Sequence, residues 1–115
     1  SPPRGDALHR VLHDELGLSA AQEQRIEAEE RLFAKRKASH ERAIRDANAG
    51  LAAAITTSQR NGPEVQRAIG RVHQQLGAYQ IESVSHIFRM RAVLTPEQAR
   101  KFDTTVSAAL TSDAR

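Results

Sequence analysis

The segment Ser58-Gln59-Arg60-Asn61-Gly62-Pro63 decides the fold, because it separates two long stretches of helical sequence. Asn-Gly-Pro is typical of a turn, and the proline suits the first position of a following helix. We predict one helix over residues 19–58, about 57 Å long at 1.5 Å per residue, and a second over residues 63–93. Ser19 and Gln22 have the spacing of a capping box at the start of the first of these helices. The two long helices should form an antiparallel hairpin.

A short helix is predicted at each end of this hairpin. Residues 6–16 carry an apolar stripe and are followed by Gly17, a residue typical of the position after a helix C-terminus. Thr95-Pro96-Glu97-Gln98 has the spacing of a second capping box and predicts a helix over residues 96–110. The predicted fold is therefore all-α: a long antiparallel helical hairpin with a short helix at each end, in a hooked four-helix arrangement.

Length and composition limit the classes of protein to which the chain can belong. Its 115 residues, 27% of them charged and few of them aromatic, fit one helical domain, 1–115, with a frayed start at residues 1–5. The absence of cysteine excludes disulfides, thiolate metal sites and cysteine nucleophiles. Acidic residues interleave with basic ones and few aromatics are available for stacking, so we expect no nucleic-acid binding. No apolar run approaches the length of a membrane span, so we expect any signal or anchor to lie upstream of this chain.

Five residues with metal-binding side chains are predicted to converge. His9 and His13 are four residues apart on the first helix, so their rings share one face. Glu30 falls on the apolar stripe of the second helix, where a carboxylate needs a partner or a cation. His86 and Met90 lie on the inward-facing seam of the third helix. That seam consists of Val65, Ile69, Val72, Leu76, Tyr79, Ser83, His86, Met90 and Val93. If the first helix folds back over the hairpin, the five residues can form one site.

The donor set favours particular metal ions. Three imidazoles, a carboxylate binding through both oxygens and a thioether would give a six-coordinate shell of three nitrogens, two oxygens and one sulfur. Imidazole and thioether ligands suit late first-row divalent ions, and six-coordination favours nickel or cobalt over tetrahedral zinc. We therefore expect Ni²⁺ or Co²⁺, with Zn²⁺ as a non-switching or competing ion.

Each part of this set also has a purely structural explanation. His86 and Met90 are residue types that fill helical cores. The pair His9 and His13 could be exposed at the surface, and Glu30 could belong to a solvated acidic helix face. The metal hypothesis therefore depends on all three chain segments reaching one place.

Two histidines remain outside the predicted metal site. His40 lies on the stripe of the second helix and could be a core histidine or part of a different site near Glu82, whereas His73 lies off the seam and is expected at the surface.

The spacing His9-x-x-x-His13 resembles that of zinc proteases, but Arg10 occupies the position that a general base would need. We therefore expect a protein that is not an enzyme.

The residues that form the predicted metal site also carry a family resemblance. The series His9-x-x-x-His13, Glu30 and His86-Ile87-Phe88-Arg89-Met90 resembles the periplasmic metal-sensor domain of the CnrX and NccX type, over about residues 8–110. The resemblance implies metal ligation by His9, His13, Glu30, His86 and Met90. It also implies a periplasmic nickel or cobalt sensor, held at the inner membrane by an N-terminal segment that is not in this chain. Such a sensor signals through a membrane anti-sigma factor to an extracytoplasmic-function (ECF) sigma factor that controls metal efflux.

Two other function classes and one oligomeric state complete the expectations. The Leu-Ser/Thr-x-x-Gln sequences that begin at Leu18 and Leu94 resemble those of periplasmic stress chaperones of the Spy and CpxP kind, which lack the five ligands. A nucleic-acid module would require strongly salt-dependent binding. A two-helix hairpin of this length leaves apolar surface exposed along its seam, so we predict a homodimer.

Overall fold

The computed structural model describes the backbone of residues 4–112 and the side chains of residues 7–112, and that range is helical with short connections. Helix α1 (Arg4–Arg10) continues into a π-helical segment (Val11–Glu15), here called the π segment. Helices α2 (Ala20–Ser58), α3 (Pro63–Arg91) and α4 (Pro96–Thr111) follow. Residues 4–112 contain no strand. The predicted all-α fold, a long helical hairpin with a short helix at each end, is confirmed.

The start of the chain differs in two ways from the prediction. Of the frayed start expected at residues 1–5, residues 1–3 lie outside the described residues, and α1 already begins at Arg4. The expected first helix is α-helical only to Arg10 and then π-helical, which residue spacing does not reveal because both conformations place residues four apart on one side. Gly17 ends this part of the chain with a left-handed φ of 68°, as glycine after a helix does.

The described residues form two compact units. The terminal unit contains residues 4–29 and 87–112, and the hairpin unit contains Glu30–His86. In the hairpin unit, the α3 residues Val65, Ala68 and Val72 are buried. Leu76 is 46% exposed although it belongs to the predicted seam. The seam positions Val72 and His86 on either side of Leu76 are buried, so the exposure at Leu76 is local.

The turn of the hairpin unit contains a non-glycine residue with a left-handed backbone conformation. Gln59 has a φ of 57°, and its N–H donates to the carbonyl oxygen of Ile55 at 2.9 Å. The hydroxyl of Ser58 donates to the carbonyl oxygen of Ala54 at 2.7 Å. Pro63 then begins α3 at the position predicted from the sequence.

The core of the terminal unit joins the π segment, α2, α3 and α4. Its most completely buried side chains are Phe102, Leu12 and Ile26. The core cluster consists of Val11, Leu12, Leu16, Ile26, Met90, Val93 and Phe102. Both α1 and the π segment pack against α4. The π segment is therefore anchored by its apolar side.

Helix α3 ends at Arg91, two residues before the predicted end. The N–H of Val93 donates to the carbonyl oxygen of Met90 at 3.0 Å, a tight last turn of the i→i+3 type. The guanidinium of Arg91 donates to both carboxylate oxygens of Asp103 on α4, at 2.8 and 2.7 Å. This hydrogen bonding lowers the pKa of Asp103.

Two capping boxes in the terminal unit are joined to each other. Ser19 with Gln22 and Thr95 with Gln98 each exchange the two hydrogen bonds of a capping box, as the sequence predicts. In addition, Gln22 Nε2 lies 3.0 Å from the carbonyl oxygen of Val93 and 2.8 Å from Gln98 Oε1. The same glutamine therefore caps α2 and connects its start to the start of α4.

Candidate metal centre

Two imidazoles lie side by side where α1 passes into the π segment. The ring centroids of His9 and His13 are 4.4 Å apart, with an interplanar angle of 45°. On the other side of the same stretch, Val11 and Leu12 are buried in the core of the terminal unit. This burial determines the side on which the histidines lie. Short π-helical segments occur frequently at functional sites.

A carboxylate from the first turn of α2 contacts one of these rings. His13 Nδ1 lies 2.8 Å from Glu23 Oε1, and the two side chains are 18% and 32% exposed. Glu27 follows one helical turn later. His13, Glu23 and Glu27 each offer a ligand atom, and these three atoms lie within 4.8 Å of one another. An imidazole and two carboxylates at such distances are able to hold a divalent cation.

His86 lies in the hairpin unit and is held by an aromatic neighbour. Its ring stacks on Phe33 with a centroid distance of 4.2 Å and an interplanar angle of 6°. Phe33 also stacks on Tyr79, at 6.3 Å. His86 is only 8% exposed. It therefore faces inward, as predicted, in an orientation that a flat ring contact restricts.

Met90 and Glu30 complete the predicted set. Met90 is 2% exposed in the core of the terminal unit, the same core that contains Leu12 and Ile26. Glu30 is half-buried on α2 in the hairpin unit. Of the five predicted ligands, the terminal unit thus contains the adjacent pair His9 and His13 together with Met90, and the hairpin unit contains the other two.

Comparison with known proteins identifies the family. A family model described as heavy-metal resistance matches residues 1–101. The chain belongs to this heavy-metal resistance family. It is also 36% identical over 103 residues to the nickel and cobalt resistance protein CnrR of Cupriavidus metallidurans. The aligned region covers 90% of this chain and 70% of that protein. The resemblance to metal-resistance domains of the CnrX and NccX type is confirmed.

The side chains of this heavy-metal resistance domain fit a metal ion. Adjacent imidazoles on one short segment, with two carboxylates at ligand distance from one of them, are nitrogen and oxygen donors suited to first-row divalent ions. The buried thioether of Met90 would add a sulfur donor. None of the helices in residues 4–112 has the length and apolarity needed to cross a bilayer.

The remaining histidines of this family member lie outside that group. His40 Nε2 is 3.8 Å from Glu82 Oε1, and Arg36 Nη1 lies 3.3 Å from Glu82 Oε2. His40 therefore lies beside Glu82, and its assignment to a separate site there stays a prediction. His73 is exposed, as predicted.

Two residues near the histidine pair were not among the predicted site residues. Glu23 and Glu27 share a face of α2 with Glu30, because their spacing is four and then three residues. This spacing was visible in the sequence. The contact between Glu23 and His13 was not, because it depends on the reversal of the chain at Gly17.

Proposed function

We propose that this heavy-metal resistance protein is a metal sensor that binds one Ni²⁺ or Co²⁺ ion through His9, His13, Glu30, His86 and Met90. The observation that carries the proposal is the adjacent pair of imidazoles, 4.4 Å apart, in a chain of this family. The nickel and cobalt resistance of the relative CnrR supports these two ions over other divalent metals. Zn²⁺ is the expected competitor, and the protein is not an enzyme in this proposal.

The role of each residue follows from its surroundings. His9 and His13 present two nitrogens from one anchored segment, and Phe33 restricts the plane of the His86 ring before any ion arrives. Because these side chains are already oriented, less side-chain conformational entropy is lost when a metal ion binds. Glu30 supplies the negative charge that partly neutralises a divalent ion.

Met90 links ion identity to the protein core. Its side chain belongs to the same buried cluster as Val11 and Leu12, the residues that anchor the π segment. If this sulfur were a ligand, its packing would change, and the π segment would respond through these contacts. Met90 would therefore respond to ions that take a sulfur ligand and not to Zn²⁺, which is satisfied with four or five harder ligands.

The proposed signalling route takes place in the periplasm. The domain is anchored to the inner membrane by an N-terminal segment outside this chain, and it acts on a membrane anti-sigma factor that controls an ECF sigma factor and metal efflux. In this proposal, a change in the π segment is passed through α1 toward that anchor. A reporter under the ECF promoter tests it: the wild type should respond to nickel or cobalt and not to zinc, whereas Met90→Leu should still bind metal but lose this difference between the ions. A Met90→Leu response identical to the wild type would contradict this role for Met90.

A homodimer is the second part of the proposal. On α3, Ile81, Val84 and Phe88 share one face and are 71%, 42% and 63% exposed. Exposed apolar side chains on one helical face are typical of a protein interface. Light scattering should give the mass of two chains, and Ile81→Asp should give one. A mass of one chain at all wild-type concentrations would contradict the dimer.

A stress chaperone of the Spy and CpxP kind is the alternative. The observation that favours it is the pair of joined capping boxes, which includes both Leu-Ser/Thr-x-x-Gln sequences. The chaperone alternative predicts that metal-stripped protein prevents aggregation of an unfolded client as well as metal-loaded protein does. The sensor proposal predicts saturable binding of one cobalt ion per chain, with little effect on such aggregation.

A further inference from the structure

The contact between His13 and Glu23 determines which ring nitrogen of His13 carries the proton. Nδ1 of His13 lies 2.8 Å from Oε1 of Glu23. A carboxylate offers only acceptors, so Nδ1 must be the donor in a neutral ring. The lone pair of the ring is then on Nε2. This is the nitrogen that a metal ion would bind.

We propose that Glu23 is a positioning residue that holds His13 in the tautomer and orientation in which Nε2 binds the metal ion. The inference rests on the proposed metal-binding function and adds to it a residue outside the five ligands. Histidines that bind metals commonly donate their other ring N–H to a carboxylate, and loss of that partner typically lowers metal affinity by about 10- to 100-fold.

The position of Glu23 is built by the local structure. Its N–H donates to the carbonyl oxygen of Ser19 at 2.9 Å, so the residue belongs to the capped first turn of α2. Gln22, its neighbour, is bonded to Val93 and Gln98. The start of α2 is therefore held in place within the terminal unit, and a carboxylate there also interacts favourably with the helix dipole.

A second role for Glu23 has a different consequence. Glu23 and Glu27 both offer oxygens within 4.8 Å of a ligand atom of His13, so Glu23 could instead bind the ion directly. Glutamine separates the two roles. Its amide oxygen accepts the same N–H from His13, but it is a poor substitute for a charged metal ligand. Alanine removes both functions.

The first measurement uses metal-free protein. Two-dimensional ¹H–¹⁵N NMR of the histidine rings at about pH 8, where free imidazole is neutral, reports the protonated nitrogen of each ring. We expect His13 to be protonated at Nδ1 in the wild type and in Glu23→Gln. In Glu23→Ala we expect a shift toward the Nε2-protonated form. An unchanged His13 tautomer in Glu23→Ala would overturn the proposal. Because no metal is present, this result is independent of whether the domain is a sensor.

The second measurement is a competition titration with Co²⁺. We expect Glu23→Ala to weaken binding by about 10- to 100-fold, and Glu23→Gln to retain most of the affinity. Glu41→Ala is the matched control, because it removes the same charge from an exposed position of the same helix without removing the hydrogen bond to His13. Equal losses in Glu23→Gln and Glu23→Ala would identify Glu23 as a ligand and overturn the positioning role. Equal losses in Glu41→Ala and Glu23→Ala would overturn it too, since charge alone would explain both.

Discussion

Replacing Gln22 with alanine should destabilise the terminal unit strongly, because this side chain serves two structures at once. It closes the capping box with Ser19, and its amide donates to the carbonyl oxygen of Val93 and to Oε1 of Gln98. A capping interaction contributes about 1 kcal/mol. A partly buried carbonyl that loses its donor costs about 1–2 kcal/mol. We therefore expect a loss of about 2–3 kcal/mol in the free energy of unfolding.

The size of this loss makes it easy to measure. For a chain of this length, 1 kcal/mol corresponds to about 4 °C, so Tm should fall by about 10 °C. Thermal and urea unfolding followed by circular dichroism give both values. Gln24→Ala is the control, since Gln24 is exposed one turn into the same helix. Its effect should stay within about 0.5 kcal/mol.

A double-mutant cycle tests the reasoning itself. If Gln22 and Gln98 act as one unit, the loss in the double variant should be smaller than the sum of the two single losses, by about 1 kcal/mol or more. Strict additivity would refute the view that the two caps are joined. A loss for Gln22→Ala no larger than that for Gln24→Ala would refute the assigned hydrogen bonds.

Three other changes have definite expected outcomes. Gly17→Ala should lower the free energy of unfolding by about 1 kcal/mol in urea titrations, because φ is 68° there and an added Cβ meets nothing within 4 Å, so the cost is torsional. Gln59→Gly should raise it by about 0.5 kcal/mol in the same assay, because relief of the strained φ of 57° exceeds the entropy cost of glycine; a loss would contradict this. Asp103→Asn should destabilise the protein at pH 7, and by less as the pH falls below about 4. The folded-state pKa of Asp103 is lowered by its hydrogen bond with Arg91, so its contribution is present above the unfolded-state pKa of about 4 and is lost as the pH falls through the folded-state pKa; a difference in unfolding free energy that does not shrink between pH 7 and pH 2 would contradict it.

Much of the fold could be predicted because its signals are local. Pro63 and the sequence Thr95-Pro96 mark helix starts by their own backbone chemistry, and the inward direction of His86 and Met90 follows from helical periodicity. The π segment could not be predicted in this way, because the spacing of His9 and His13 is compatible with either helix type.

Other features depend on contacts between residues far apart in the sequence. The hydrogen bond from Gln22 to Gln98 joins residues 76 positions apart, and it cannot be predicted from the sequence pattern of either capping box. The partnership of Glu23 with His13 likewise requires the chain reversal at Gly17. For the candidate site, the sequence therefore supplied the ligand types, whereas the structure supplied the neighbours that orient them.

The most direct test of the central claim is a titration of metal-stripped protein with Co²⁺, followed by visible absorption. We predict weak bands of a six-coordinate ion that saturate at one ion per chain. These bands should be altered in His86→Ala and Met90→Leu, and unchanged in His73→Ala, whose histidine is exposed elsewhere on α3. No saturable binding in the wild type, or a wild-type spectrum in both His86→Ala and Met90→Leu, would contradict the assignment of a metal site to these residues.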